Sequence, residues 1–96
     1  MERQQIVRIL GTQRQELSRR GVKTLRLFGS TARDEASAAS DVDLLVAFEA
    51  TPSYSDFMKL RIFLEDLLGV EVDLVTENGL RERVRPQVEQ EAIRVA

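Results

Sequence analysis

At 96 residues, 43% of them hydrophobic, the chain is sized for one domain with one core and leaves no room for a second, substrate-binding domain. It has no cysteine and no histidine, which excludes disulfides, thiolate zinc sites and any histidine triad or general base. The net charge of −2 conceals an asymmetry unlike the overall basicity of a generic nucleic-acid binder: residues 1–33 carry eight basic and two acidic side chains, residues 34–79 two basic and eleven acidic.

In chain order, residues 2–20 predict a helix, with Ile6, Ile9, Leu10 and Leu17 at helical spacing and Gly21 as the stop. Arg3, Arg8, Arg14, Arg19 and Arg20 then fall on a solvated face or on a docking face for an acidic partner. Residues 22–28 predict a strand covered on at least one side. A short helix over 31–35 and a small, polar return loop over 36–40 follow. Residues 41–48 predict a second strand, whose apolar tail (Leu44, Leu45, Val46, Ala47, Phe48) suits a central place in a sheet.

After a connection over 49–55 broken by Pro52, Ser55 or Asp56 is expected to cap a helix running through Leu68. Phe57, Leu60, Phe63, Leu64, Leu67 and Leu68 line its apolar face, and Gly69 closes it. Residues 70–75 alternate as a third strand with Glu71 and Asp73 on its polar side, and residues 77–79 form a turn. Residues 80–92 have a helical pattern that Pro86 must break or restart. The expected fold class is α/β (α+β): one small mixed sheet with helices packed on it, in a single domain over residues 1–96.

Two chemical devices meet between residues 29 and 46. Gly29-Ser30 follows an apolar run and precedes helix-forming residues, so the chain turns sharply and its N–H groups sit at a helix start, suited to an anion. Asp41 and Asp43 are two apart at the head of a strand, so both carboxylates project from one face about 6–7 Å apart. Asp73 on the third strand can share that face, with Glu71 as its same-face alternative; neighbouring strands lie only about 4.8 Å apart. Carboxylates so close repel unless a divalent cation sits among them, and hard oxygen donors favour magnesium or manganese. A phosphate cradle beside a carboxylate cluster points to metal-assisted phosphoryl or nucleotidyl transfer.

Gly29-Ser30-x-Ala32-Arg33, then Ser40-Asp41-x-Asp43-Leu44-Leu45-Val46, then Val72-Asp73-Leu74-Val75 resembles the minimal nucleotidyltransferase (MNT) family of the DNA polymerase β superfamily. Many members are antitoxins paired with a HEPN-domain ribonuclease toxin. The resemblance implies a nucleotidyltransferase fold and transfer of AMP from ATP to a tyrosine of such a toxin, which silences it. It also implies that Gly29 and Ser30 hold the triphosphate with help from Arg33, and that Asp41, Asp43 and Asp73 are catalytic and bind two Mg2+ ions. Where many relatives place glycine after this arginine, Asp34 stands here.

The small size implies that the nucleophile arrives on a separate protein, giving a hetero-oligomer with the toxin. Direct binding of nucleic acid is not expected. The opening Met-Glu-Arg-Gln-Gln lacks an apolar signal region and no run reaches membrane-spanning length, so a cytoplasmic protein without membrane contact is expected. The alternative function is a non-catalytic antitoxin that neutralises its toxin by binding alone; three retained aspartates favour the enzyme. A stand-alone transferase acting on RNA or a small molecule is disfavoured by the acidic middle segment and the missing second domain.

Overall fold

The computed structural model describes residues 2–29, 42–77 and 93–95. Two short helices, α1 (Arg3–Gly11) and α2 (Arg14–Arg19), replace the single helix expected over residues 2–20. The break falls where the Thr12 hydroxyl donates to the Ile9 carbonyl at 2.7 Å, offering that carbonyl a local partner in place of the helical ladder. Ile6, Leu10 and Leu17 nevertheless all reach the core.

Strand β1 (Val22–Phe28) has its expected bounds. A bulge between Val22 and Thr24 changes the parity, so Val22, Leu25 and Leu27 are all buried, which explains why even and odd positions are both apolar. Strand β2 (Val42–Phe48) runs antiparallel to β1. Helix α3 (Tyr54–Leu68) then crosses to β3 (Val72–Thr76), which lies parallel to β2 as a crossover connection allows.

The α3 cap is Ser53, not Ser55 or Asp56: its side chain accepts from the Asp56 N–H at 3.1 Å, and Asp56 occupies the first turn. Gly69 ends α3 in the left-handed region, and the third strand begins two residues later than expected. A fourth strand, β4 (Ile93–Arg94), pairs antiparallel with β1 and was not expected from the sequence. The sheet order β3-β2-β1-β4 puts β2 inside, as its apolar tail requires.

One sheet face carries Leu25, Leu27, Val42, Leu44, Val46, Val72 and Leu74, and packs against Ile6, Leu10 and Leu17 and the α3 stripe Leu60, Leu64 and Leu68. These side chains are almost fully excluded from water, each contributing about 1.5–3 kcal/mol on burial. Arg20 is not simply solvated: its guanidinium lies 4.3 Å from the Phe63 ring centroid, and it pairs with Glu16 at 3.2 Å. No helix among the described residues is long and apolar enough to cross a membrane. The helices expected over 31–35 and 80–92 lie outside the described residues.

Candidate active site

Alternation along β2 and β3 decides where the carboxylates fall. With Val42, Leu44, Val72 and Leu74 turned to the core, Asp43 and Asp73 must point to the opposite face. The parallel register pairs Asp43 with Asp73, so these two stand side by side on adjacent strands, Asp43 half-buried and Asp73 exposed. Glu71, the alternative partner, is exposed and precedes β3, where its carbonyl accepts from the Val42 N–H at 3.1 Å.

Gly29 completes the described part of this face. It follows Phe28, the register partner of Asp43, and has φ +74°. A Cβ built there would lie 3.0 Å from Asp43 Cγ and 3.2 Å from its Cβ, a crowding that no side chain tolerates without displacing Asp43. Both the conformation and the space therefore demand glycine, and Gly29 itself lies directly against the Asp43 side chain.

A second pair on this face was missed at the sequence level. Arg26 of β1 donates through Nη2 to Glu77 Oε1 just beyond β3, reaching across β2, where Leu45 is also buried. Only its first half had a local signal: Arg26 alternates with Leu25 and Leu27 and so must face away from the core, but nothing local names Glu77 as its partner. The pair ties the two outer neighbours of β2 together on the carboxylate face.

Ser30, Arg33 and Asp41 lie outside the described residues, as does Asp34. Among the described residues no group of three or more acidic side chains is placed to hold a metal ion. The donor set present still fits a hard divalent cation: two carboxylates in register, all oxygen, whose mutual repulsion a cation would relieve. A recess of about 900 Å³ lined by Lys23, Phe48, Pro52, Tyr54 and Phe57 opens at the far end of β2 from Asp43, so it does not coincide with the carboxylates.

Residues 10–95 match the family model described as a nucleotidyltransferase domain. The chain is 42% identical over 93 residues to the protein adenylyltransferase MntA of Thermococcus cleftensis, covering 96% of this chain and 94% of that one. A solved structure described as a minimal nucleotidyltransferase superposes with a TM-score of 0.85 at 44% identity, covering 97% of this chain and 95% of the other. A tri-AMPylated Shewanella oneidensis HEPN toxin in complex with MNT antitoxin matches with a TM-score of 0.67 at 19% identity, over 94% of this chain and 71% of that one. At that identity the likeness is one of fold.

Proposed function

The chain belongs to the nucleotidyltransferase domain family, and from that membership we propose that it is an antitoxin that transfers AMP from ATP to a tyrosine of a partner HEPN-type toxin. One observation supports the reading beyond the family: Asp43 and Asp73 stand in register and Gly29 at the end of β1 lies against Asp43, as a phosphate-binding turn beside a carboxylate pair requires. The Thermococcus relative's name as a protein adenylyltransferase supports the reaction, and the Shewanella complex supports the partner class.

Asp43 and Asp73 would hold magnesium, with Asp41 as the third ligand that the motif supplies. When bound, a pair of such ions offsets the charge that builds on the α-phosphate and on the departing pyrophosphate. The residues around it do the positioning. Gly29, lacking a Cβ, lets the backbone approach both the phosphates and Asp43, while Ser30 and Arg33 extend the phosphate contacts. The tyrosine oxygen bonds to the α-phosphorus, the α–β anhydride bond breaks and pyrophosphate leaves. Asp73, exposed beside Asp43, is suited to take the phenolic proton.

Incubating the protein with ATP, magnesium and a candidate HEPN-type toxin, then weighing the intact toxin, tests this directly. The expected result is a mass gain in steps of one AMP that disappears with Asp43→Asn. A stable complex with no mass gain would overturn the reaction and leave inhibition by binding alone.

A further inference from the structure

We propose that the outer edge of β3 is the docking strip for the acceptor polypeptide, which adds to the sheet as an extended strand and thereby brings its hydroxyl beside the carboxylates. This deepens the function proposed above and rests on it.

Among the described residues the β3 edge is open at Leu74. Because the Val42 N–H donates to the Glu71 carbonyl, residues 71, 73 and 75 direct their backbone groups to β2, and residues 72, 74 and 76 direct theirs outward. The Val72 N–H is already taken by Glu65 Oε2 of α3 at 3.0 Å. Leu74 has no such cover: β3 is the last strand on this side, and among the described residues its outward N–H and carbonyl have no partner. An unpaired strand edge is a template for another strand, and β-strand addition is an established mode of peptide recognition.

The strip is also shaped and charged. A recess of about 190 Å³ runs along it, lined by Phe57 and Arg61 of α3 and by Glu71, Val72, Asp73 and Leu74. Arg61 forms an i,i+4 ion pair with Glu65, Nε to Oε2 at 3.8 Å, and the rest of its side chain is partly exposed along the strip. A backbone carbonyl on the incoming segment would accept from the accessible part of this guanidinium, which matches an extended polypeptide better than a small molecule, whereas an acidic side chain would meet Glu71 and Asp73.

The geometry links the strip to the chemistry. A residue on an added strand lies about 4.8 Å from its neighbour and points to the same face. One opposite Asp73 would therefore present its side chain on the carboxylate face, in the row that already holds Asp73 and Asp43.

Residue-resolved amide exchange on the full chain, alone and in complex with the HEPN-type toxin used in the transfer assay, tests the docking, with intact mass of the toxin run in parallel. Exchange at Leu74 should slow by about tenfold or more in the complex, while the inward-facing Val75 amide, protected from the start, changes little. Arg61→Ala should raise the KM for the toxin about tenfold and leave kcat and the KM for ATP unchanged. A toxin that acquires AMP while Leu74 exchange and the toxin KM stay as they were would overturn the docking strip and spare the enzyme. Protection at Leu74 with no AMP transferred would overturn the reaction and uphold the strip. Protection that appears without toxin at high protein concentration would assign the edge to a second copy and overturn the proposal.

Discussion

Replacing Gly29 by alanine separates two physical effects that the structure places at one residue. A side chain in the left-handed region costs roughly 1–2 kcal/mol. The new methyl would also press on the Asp43 side chain, 3.0 Å from Cγ, and overpacking of this kind costs about 1–3 kcal/mol. Gly69 is the internal control: it has nearly the same φ, +72° against +74°, but a Cβ there meets nothing within 4 Å. Gly69→Ala should therefore lose only the conformational part, lowering the melting temperature by about 4–16 °C, while Gly29→Ala should lose about 2–5 kcal/mol, or about 8 °C and more. Adenylyl transfer should be untouched in the first and reduced at least about hundredfold in the second, because Asp43 is pushed out of line. Paired thermal melts and transfer assays read both quantities. Equal melting temperatures with full activity in Gly29→Ala would refute the claim that this glycine exists to make room for Asp43.

Asp43→Asn and Asp73→Asn should each cut transfer by at least about hundredfold, and thermal melts should show no loss of stability, since each change removes like-charge repulsion along with a ligand. Marked unfolding of either would assign the pair a structural role instead. Arg26→Met and Glu77→Gln should each destabilise by about 1–2 kcal/mol by stranding a part-buried partner, and a double-mutant cycle in urea should return a coupling of about 1 kcal/mol. A coupling near zero would mean that the pair does not hold the sheet. Ser53→Ala removes the cap on the Asp56 N–H and should cost about 1 kcal/mol, whereas Ser55→Ala should be close to neutral in the same melts.

What could be read from the sequence, and what could not, follows from the range of the forces involved. Strand β1 and the interior place of β2 were legible because runs such as Leu44-Leu45-Val46 can be satisfied only inside a sheet. The stripe of Leu60, Leu64 and Leu68 was legible from helical spacing alone. Strand β4 was not, since two residues carry no periodicity and their pairing with Arg26 and Leu27 is a tertiary event. The Ser53 cap was displaced by two or three residues because Ser53, Ser55 and Asp56 are all competent caps, and local chemistry does not rank them. The break after Gly11 was hidden because Leu10 and Leu17 are seven apart, a spacing that suits one helix or two. At the site, the sequence left Glu71 and Asp73 as rivals, and only the β2–β3 register separates them. The bridge from Arg26 to Glu77 spans 51 positions, beyond the reach of any local pattern.

The register that joins Asp43 to Asp73 also bears on how the protein fails when heated. Sliding β3 by one residue along β2 would turn Val72 and Leu74 out of the core and bring Asp73 in, so no shifted pairing is a small excursion. The carboxylate pair therefore has no half-assembled form that outlasts the core. Inactivation and denaturation should be one event with one midpoint, and residual activity in a warmed sample would count the molecules still folded.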